Sequence, residues 1–269
     1  MVATIRTGLS LVIPAFNEAE VITRAITEAE VALSAHFADF EILVVDDGSS
    51  DPTASEVFRA RAPHTRLLRH GWNRGYGAAL RTGFEAARFP LVAFTDADCQ
   101  FDLTDLARLA KVAEVVPVAV GYRADRKDPP RRRFLSWGYN VLARALLGTR
   151  VRDVDCALKV FRREVLPGLL PEARGFFVNT EMLTRARKLG LEVAELAVGH
   201  RPRAGGASKV SLREVPRTAR TLLRFWWREV VRGGAAAVTA QVLGPVRVPA
   251  ASWSPAPQAE PPARHRAAA

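Results

Sequence analysis

The amino-acid sequence predicts an α/β fold in which a mostly parallel sheet carries helices on both faces. Short uninterrupted apolar runs, such as residues 9–13 and 91–95, are typical of strands that are buried on both sides. They alternate with longer segments, such as residues 18–37, whose apolar side chains recur every three or four positions as in an amphipathic helix. Strands that alternate with helices form βαβ units, and the strands of such units are parallel.

The first 121 residues hold the regular part of this pattern. Strands are expected at residues 9–13, 40–45, 66–70, 91–95 and 117–121. Helices are expected at residues 18–37, after the cap Asp51 with Pro52 in the first helical position, at 77–88, and at 103–114 after the cap Asp102. This half of the chain is therefore expected to carry most of the parallel strands.

The remaining residues are less regular, and residues 122–133 are basic and contain proline, which predicts a loop. Further elements are expected as a helix at 134–147, a strand at 154–161, a helix at 179–189, a strand at 191–198 and a long helix at 212–232. The chain is thus divided into one domain, residues 1–232 with halves 1–121 and 122–232, and a tail, residues 233–269. The Ala- and Pro-rich composition of the tail predicts disorder.

The composition indicates a globular protein with an anionic partner. A chain of 269 residues with 48% hydrophobic and 25% charged residues can bury the core of a large α/β domain. The formal net charge of +11 favours a nucleic acid, an anionic membrane surface or a phosphorylated ligand, although a soluble protein with a basic surface has the same charge. Nucleic acid is not expected as a partner, because no segment interleaves basic with aromatic residues.

Cysteine usage and hydropathy predict a cytoplasmic protein. Cys99 and Cys156 lie far apart in the sequence, which argues against a disulfide framework or a structural zinc site. The apolar run near the N-terminus is short and contains Pro14, unlike the core of a signal peptide. No uncharged apolar run approaches the ~20 residues of a membrane helix. The chain is expected in the cytoplasm, at most as a peripheral protein on the inner face of the membrane.

Polar clusters directly follow four of the predicted strands. They are Asn17 with Glu18, Asp46 with Asp47, Asn73 with Arg74, and Asp96 with Asp98. The carboxyl ends of parallel strands meet at one edge of a sheet, where ligands bind. One such cluster is unsurprising because loops are polar, but four in succession predict a single shared site.

The segment Asp96-Ala97-Asp98 has the clearest chemistry. On an extended segment, carboxylates two residues apart point the same way, and Gln100 continues the series. Hard oxygen ligands of this kind suit Mg²⁺ or Mn²⁺ bridged to phosphate oxygens. The alternative is a solvated turn that caps the next helix, but Asp102 is already placed for that purpose.

Several other catalytic motifs are missing from the sequence. No G-x-G-x-x-G follows the first strand and no G-x-x-x-x-G-K-[ST] occurs, which disfavours dehydrogenases and P-loop NTPases. No Ser/His/Asp or Cys/His set is indicated, and the five histidines are interpreted as structural or exposed.

Six segments form a joint pattern: VIPAFNE at residues 12–18, VDDGSSD at 45–51, NRGYGAA at 73–79, DADCQ at 96–100, DVDCALKVFRR at 153–163 and RAGGASKV at 203–210. Together they resemble the family 2 glycosyltransferases, and within that family the polyprenol-phosphate and dolichol-phosphate sugar synthases. The sequence departs from the family where Ala157-Leu158 replaces the more typical Gly-Phe. It also shows none of the C-terminal membrane helices that the family often carries.

The resemblance implies a GT-A fold, a Rossmann-like architecture that binds a nucleotide-diphospho-sugar donor, with inversion at the anomeric carbon. The implied donor site, with Asp47 on the base and Arg74 near the diphosphate, consists of Pro14, Phe16, Glu18, Asp47, Arg74 and Asp96. The implied cofactor is Mg²⁺ or Mn²⁺, held on the diphosphate by Asp96, Asp98 and Gln100.

The resemblance also implies an acceptor that is itself a phosphate. The positions that match the acceptor-phosphate residues of the family are Arg123, Arg132, Ser136 and Arg203. A phosphate acceptor needs cationic groups and no general base, whereas a hydroxyl acceptor needs a base, for which Asp153 or Glu181 is the candidate. The arginine-rich composition favours the phosphate, because arginine makes two-point contacts with phosphate.

The function expected from these observations is inverting transfer of a hexose from a UDP- or GDP-linked donor to a polyprenyl phosphate at the membrane surface, with Asp96, Asp98 and Asp153 as the catalytic residues. One alternative is transfer to a hydroxyl of a lipid, a saccharide or a small acceptor. An alternative of another class is a non-catalytic basic binding protein, which the charge favours and the intact Asp96/Asp98 pair opposes.

The helix predicted at residues 212–232 is basic and amphipathic. Its apolar positions fall on one face, and arginines recur beside them every three or four residues. With Trp226 and Trp227 near its end, this pattern is typical of a helix that lies on an anionic membrane. The alternative is that its apolar face packs on the catalytic domain. Pro216 is compatible with the helix only within its first turn.

Overall fold

The computed structural model describes residues 4–125, 130–202 and 214–231. Its strands and helices in chain order are β1 (Leu9–Ala15), α1 (Ile22–Ser34), β2 (Phe40–Asp46), α2 (Thr53–Arg59), β3 (Thr65–Arg69), α3 (Tyr76–Ala86), β4 (Leu91–Phe94), α4 (Asp105–Ala113), β5 (Val118–Arg123), α5 (Pro130–Leu147), β6 (Lys159–Arg162), α6 (Leu166–Leu169), α7 (Val178–Lys188), β7 (Val193–Val198) and α8 (Glu214–Trp226). A 3₁₀ turn (Arg163–Val165) precedes α6, and a π-helical turn (Trp227–Val231) follows α8.

The seven strands form one sheet in the order β3-β2-β1-β4-β6-β5-β7. β6 runs antiparallel to β4 and β5, and the other pairings are parallel. The chain steps from β1 to β2 and β3 on one side and then to β4 on the other, so the carboxyl ends of β1 and β4 flank a topological switch point. The predicted α/β fold with a mostly parallel sheet is confirmed.

The centre of the sheet is buried. β1, β2 and β4 are buried at every position, which explains why their sequences are apolar runs rather than alternating patterns. The edge strands β3 and β7 are mostly half-buried. Helix α3 packs on β1 and β2, and the approach is close at Gly83, where a Cβ atom would lie 2.3 Å from Val12 Cγ1.

Two helices begin later than predicted. The side chain of each expected cap accepts a hydrogen bond within a turn that comes before the helix. Asp51 accepts a hydrogen bond from the backbone N–H of Thr53 at 3.0 Å, and α2 begins at Thr53 after Pro52. Asp102 accepts one from Thr104 at 3.1 Å, and α4 begins one residue later still. Helix α1 begins at Ile22 rather than residue 18, because the backbone N–H groups of residues 17–19 donate to the loop after β2 and to the first residue of α2.

The strand predicted at residues 154–161 is the largest error. β6 covers only Lys159–Arg162, and the preceding residues turn around the buried ammonium group of Lys159. Its Nζ donates to the carbonyl of Val154 at 3.1 Å, to the carbonyl of Cys156 and to Asn179 Oδ1 at 2.8 Å. The apolar composition of this turn resembles that of a strand, because the turn is buried.

Helix α8 packs on the domain, as the alternative interpretation of this segment predicted. Leu222 and Phe225 are buried against Leu147 of α5 and Phe177, which precedes α7. Pro216 is the third residue of the helix and so lies in its first turn. The predicted tail, residues 233–269, lies outside the described residues, as does the acceptor residue Arg203. None of the helices in the described residues is long and apolar enough to span a membrane.

Candidate active site

The carboxyl ends of the parallel strands bring the predicted clusters to one edge of the sheet. β1, β2 and β4 are neighbours or next neighbours there. Pro14 is buried within β1, and Phe16 and Glu18 are half-buried just after it. The donor-binding roles of these three residues stay predictions.

The loops after β1 and β2 are joined by hydrogen bonds. Asn17 has a left-handed backbone (φ 52°), and its Oδ1 accepts a hydrogen bond from the N–H of Ser50 at 2.9 Å. The N–H of Glu18 donates to Thr53 Oγ1 at 2.9 Å. Asn17 therefore shapes the rim of the site, which a non-glycine residue with positive φ often does at functional sites.

Asp47 is buried and organises the loop that leads into α3. Its Oδ1 accepts a hydrogen bond from the N–H of Arg74 at 2.9 Å, and its Oδ2 accepts one from the N–H of Gly75 at 2.8 Å. His70 Nδ1 lies 2.6 Å from Asp47 Oδ1, and His70 Nε2 lies 2.9 Å from Thr82 Oγ1. The guanidinium of Arg74 is exposed. The predicted contact of Asp47 with the nucleotide base stays a prediction, beside this structural role.

Two glycines let a second segment pack on that loop. Gly75 has φ 97°, and a Cβ atom there would lie 2.6 Å from the carbonyl oxygen of Arg174. The N–H of Gly77 donates to the same oxygen at 3.1 Å, and a Cβ atom on Gly77 would lie 1.8 Å from the carbonyl oxygen of Ala173. The segment before α7 therefore closes over the start of α3.

The loop also carries Tyr76, whose hydroxyl donates to Asp96 Oδ1 at 2.8 Å. Burial raises the pKa of Tyr76 well above its usual range, and the charges of Asp96, Asp98 and Asp155 raise it further. Tyr76 therefore stays protonated and fixes the orientation of the Asp96 carboxylate. The link from Asp47 through this loop to Asp96 joins the clusters after β2, β3 and β4.

The Asp96-Ala97-Asp98 segment forms a turn rather than the extended segment that was predicted. Cys99 has a left-handed backbone (φ 57°), and Asp98 Oδ1 accepts a hydrogen bond from the N–H of Gln100 at 3.2 Å. Asp98 is buried and Asp96 is half-buried. The turn directs the chain from β4 towards an antiparallel bridge between Phe101 and His200.

Asp96 and Asp98 are the carboxylates that could hold a divalent cation together with a phosphorylated ligand. In the part of the chain that the structure describes, no three Asp, Glu, His or Cys side chains are arranged to hold a metal by themselves. Mg²⁺ at phosphate sites is typically held by one or two carboxylates together with substrate phosphates. Asp96 contacts the Tyr76 hydroxyl, and the charges of Asp98 and Asp155 also raise the pKa of Tyr76.

Gln100, the third predicted metal ligand, forms hydrogen bonds with the backbone of the segment after β7. Its Nε2 donates to the carbonyl of Arg201 at 3.4 Å, and the N–H of Arg201 donates to the carbonyl of Gln100 at 2.7 Å. Only Oε1 of its side chain is suited to a cation, so ligation by Gln100 stays a prediction.

Arg123 and Asp153 form a buried two-point ion pair. Arg123 Nε and Nη2 lie 2.7 Å and 2.8 Å from the two carboxylate oxygens of Asp153, and both side chains are less than one-tenth exposed. Burial acts to lower the pKa of Arg123, but the hydrogen bonds and charge of Asp153 raise it overall. The predicted base and one predicted phosphate ligand therefore hold each other.

Glu181, the other candidate base, is fully engaged in structure. It is buried, accepts hydrogen bonds from the N–H groups of Glu172 and Ala173, and pairs with Arg185 at 2.9 Å. It anchors the segment that closes over the start of α3, and its role as a base stays a prediction.

Ser136 of α5 lies near the loop that carries Asp153. Asn140 Nδ2 donates to the carbonyl of Ser136 at 2.8 Å, and Asn140 Oδ1 accepts from the N–H of Val154 at 3.0 Å. The structure therefore brings Ser136 and Arg123 to the same loop, on the side of the site away from Asp47. The side chain of Arg132 lies outside the described residues, as does Arg203.

Sequence patterns did not assign roles to His70, Tyr76 and Lys159. Tyr76 lies within one of the six motifs, and His70 is the last residue of a predicted strand, so position alone could have marked both. Lys159 also lies within a motif, at residues 153–163, but its place in a predicted strand hid its role, because a lysine in a strand is usually exposed.

The family model described as glycosyl transferase family 2 matches residues 10–170. Glycosyltransferase AglD of Haloferax volcanii is 36% identical, over 83% of this chain and 38% of that protein. An undecaprenyl-phosphate 4-deoxy-4-formamido-L-arabinose transferase of Sodalis glossinidius is 34% identical, over 76% of this chain and 63% of that protein. A dodecaprenyl-phosphate galacturonate synthase of Rhizobium johnstonii is 30% identical, over 84% and 69%. The chain thus spans less than two thirds of the length of the first two relatives.

Solved structures of glucosyl-3-phosphoglycerate synthase from Mycobacterium tuberculosis share the fold. The complex with Mn²⁺, UDP and glucosyl-3-phosphoglycerate has a TM-score of 0.64 at 22% identity, covering 82% of this chain and 79% of that chain. The complex with Mg²⁺ and UDP has a TM-score of 0.64 at 20% identity. At these identities the likeness concerns the fold alone.

Proposed function

Because the chain belongs to glycosyl transferase family 2 and has the GT-A fold that its motifs predict, we propose that it transfers a hexose from a UDP- or GDP-linked donor to a polyprenyl phosphate. Transfer proceeds with inversion at the anomeric carbon. The family match favours this enzyme over the non-catalytic basic binding protein.

The observation that carries the proposal is the arrangement around Asp96. The loop held by Asp47 presents Tyr76, which orients the Asp96 carboxylate beside Asp98 at the switch point of the sheet. In the proposed complex, the nucleoside lies at the Asp47 end of this arrangement and the diphosphate lies at the Asp96 and Asp98 end.

Asp96 and Asp98 are the residues that would hold Mg²⁺ or Mn²⁺. A bound divalent ion supplies charge neutralisation for the phosphates as they leave. The solved neighbours with Mn²⁺ and UDP or Mg²⁺ and UDP support this choice of ion and ligand. The chain contributes the positions of the two carboxylates, with Tyr76 fixing one of them.

The choice of acceptor rests on the names of the relatives and on the ion pairs of the two predicted bases. Two relatives are named for transfer involving undecaprenyl phosphate and dodecaprenyl phosphate. Both predicted bases are held in ion pairs, Asp153 by Arg123 and Glu181 by Arg185. A phosphate oxygen is anionic and attacks without a base, so this arrangement favours a phosphate over a hydroxyl acceptor.

Transfer to a hydroxyl would require another carboxylate as the base. Asp155 is the candidate that the structure adds, because it is half-buried and its charge acts on Tyr76 beside Asp96. Asp155→Asn separates the two reactions, since it should abolish transfer to a hydroxyl but leave transfer to a phosphate measurable.

The donor is tested by a thermal-shift panel of UDP- and GDP-sugars with and without Mn²⁺. We expect one nucleotide class to raise the melting temperature only when Mn²⁺ is present, and Asp98→Asn to abolish this rise while the unliganded protein keeps its melting temperature. Asp39→Asn, at an exposed position before β2, is the matched control and should respond like the unchanged chain. A metal-dependent rise that survives in Asp98→Asn would remove the metal assignment.

The stereochemical part is tested by proton NMR of the lipid product. An inverting reaction converts an α-linked donor into a β-linked sugar phosphate in a single displacement. Retention of the donor configuration would show that a different mechanism operates at this site.

A further inference from the structure

Helix α5 exposes an apolar face. Leu135, Val141 and Leu142 are 40%, 41% and 39% exposed, and Trp137 beside them is 60% exposed. Gly138 and Ala145, at helical spacing from these residues, are exposed as well. A run of large apolar side chains on one exposed helix face differs from single exposed residues, which are common, and marks a contact surface.

The opposite face of the same helix reaches the candidate active site. Asn140, Ala143 and Leu147 are buried there, and Asn140 bonds to the backbone of Val154, beside Asp153. A surface that binds the exposed face of α5 would therefore lie one helix diameter, about 10 Å, from the acceptor side of the site.

Helix α8 packs beside α5 and also exposes apolar side chains. Leu222 and Phe225 pack beside Leu147 of α5, whereas Leu223 and Trp227 are 51% and 49% exposed. The helix thus turns one apolar edge to the domain and a second to solvent.

Arginines border the apolar residues on both helices. Arg133 and Arg144 are exposed on α5, and Arg220, Arg224 and Arg228 are exposed on α8 and the turn after it. Apolar and aromatic side chains bordered by arginines match the boundary between lipid headgroups and acyl chains. The same arginines oppose a second copy of the chain, since a symmetric contact repeats each patch opposite or near itself and brings like charges together.

We propose that the exposed faces of α5 and α8 are the surface by which the chain docks on an anionic lipid bilayer, with Leu135, Val141 and Leu142 of α5 entering the acyl boundary. The inference rests on the proposed function, because a lipid-borne acceptor places the substrate in a bilayer. The main contact is assigned to α5, and α8 supplies Leu223, Trp227 and arginines beside it. Docking in this way places the acceptor side of the site one helix diameter, roughly 10 Å, from the membrane.

The first test is co-sedimentation of the full chain with vesicles of phosphatidylcholine alone or mixed with phosphatidylglycerol. We expect salt-sensitive binding to the anionic vesicles, with Val141→Asp combined with Leu142→Asp weakening it tenfold or more, roughly the loss expected when two apolar side chains no longer enter the lipid. Phe58→Asp on α2 is the matched control, because Phe58 is 72% exposed on another helix, and its binding should be unchanged. Equal binding of the double variant and the unchanged chain would overturn the proposal.

The second test places a fluorophore on the surface. Cys99 and Cys156 are buried, so a thiol-reactive, polarity-sensitive probe should label an introduced cysteine selectively. On anionic vesicles, emission from Val141→Cys should shift to shorter wavelength and be quenched by lipids labelled in the acyl chain, whereas emission from Phe58→Cys should not. The same emission from both positions would contradict docking through α5.

A dimer is separated from a membrane surface by sedimentation equilibrium without vesicles. We expect a monomer, and a dimer that Val141→Asp dissociates would assign this face to a second copy and overturn the proposal. Nucleotide binding with Mn²⁺ in the same samples reports on the proposed function alone. Intact nucleotide binding without vesicle binding would therefore remove the docking surface and leave the proposed function standing.

Discussion

At the residue scale, the carboxylates of the candidate site are held in place by hydrogen bonds and ion pairs with neighbouring side chains and backbone groups. Tyr76 holds Asp96, Asp47 holds the loop before Tyr76, and Arg123 holds Asp153. These pairs fix the orientation of carboxylates at a place where a phosphorylated ligand would meet them. Orientation of this kind matters for catalysis, because a misplaced catalytic group loses rate steeply.

Tyr76→Phe should weaken metal-dependent nucleotide binding with little change in the fold. The substitution keeps the ring but removes the hydroxyl that donates to Asp96 at 2.8 Å, and a hydrogen bond to a charged group is worth roughly 1.5–3 kcal/mol. We expect the Mn²⁺ concentration for half-maximal stabilisation by nucleotide to rise at least tenfold. Tyr122→Phe, on β5, is the control. An unchanged Mn²⁺ requirement would show that Tyr76 does not position Asp96.

Arg123→Leu should be strongly destabilising. It leaves the carboxylate of Asp153 buried without the arginine that faces both of its oxygens, and breaking a buried pair from one side costs about 3–5 kcal/mol. Chemical denaturation measures the loss, and Arg152→Leu at an exposed position is the control. Adding Asp153→Leu should restore part of the stability, since the uncompensated charge is then gone. Failure of the single variant to lose stability would contradict the buried-pair account.

At the element scale, the Glu41 side chain links neighbouring elements by hydrogen bonds near the amino ends of the parallel strands, away from the site. It is buried in β2 and accepts hydrogen bonds from Ser10 of β1, Arg66 of β3 and the backbone N–H of Arg88 after α3. Burial acts to raise the pKa of Glu41, but these hydrogen bonds lower it overall from 4.5. A lowered folded-state pKa stabilises the protein above the unfolded pKa, and that stability is lost as the pH falls through the folded value.

Glu41→Gln should therefore reduce the pH dependence of stability below about pH 4.5. At neutral pH the variant should be less stable than the unchanged chain, and the difference should shrink as the pH falls, because the unchanged chain loses the contribution of its carboxylate. Urea unfolding from pH 7 to pH 3 measures this, with the exposed Glu20→Gln as control. A constant difference across that range would contradict the assignment.

The elements also show what the sequence could and could not predict. Continuous apolar runs predicted β1, β2 and β4 well, because a strand that is buried on both faces has apolar residues at consecutive positions. The turn around Lys159 was missed, because a buried loop satisfied by a lysine ammonium has the composition of a strand. Pairs such as Arg123 with Asp153 were also missed, since their 30-residue separation in sequence carries no periodic signal.

At the scale of the whole molecule, the motifs predicted the edge of the sheet at which the clusters meet. They did not predict that Asp96 and Asp98 lie in a turn, because the left-handed backbone of Cys99 has no composition signature. They predicted an amphipathic α8, but its division between a packed edge and an exposed edge depends on α5, which lies more than 60 residues earlier.

A chain that ends at Arg232 should fold and bind nucleotide like the full chain. Residues 233–269 are rich in Ala and Pro and lack apolar periodicity, so they offer little surface for a core to bury. We expect the melting temperature and the Mn²⁺-dependent shift by nucleotide to be unchanged. An insoluble product, or one that no longer binds nucleotide, would show that the tail packs on the domain.

The central claim is sugar transfer to a lipid phosphate at the Asp96/Asp98 site, and the most direct measurement compares two acceptors in the same micelles. One is a polyprenyl phosphate and the other is the matching polyprenol, each supplied with the labelled donor that the thermal-shift panel identifies and with Mn²⁺. We predict labelled lipid from the phosphate only, none from the phosphate in Asp98→Asn, and normal transfer in Asp39→Asn. Transfer to the polyprenol at an equal rate, or transfer that persists in Asp98→Asn, would contradict the account.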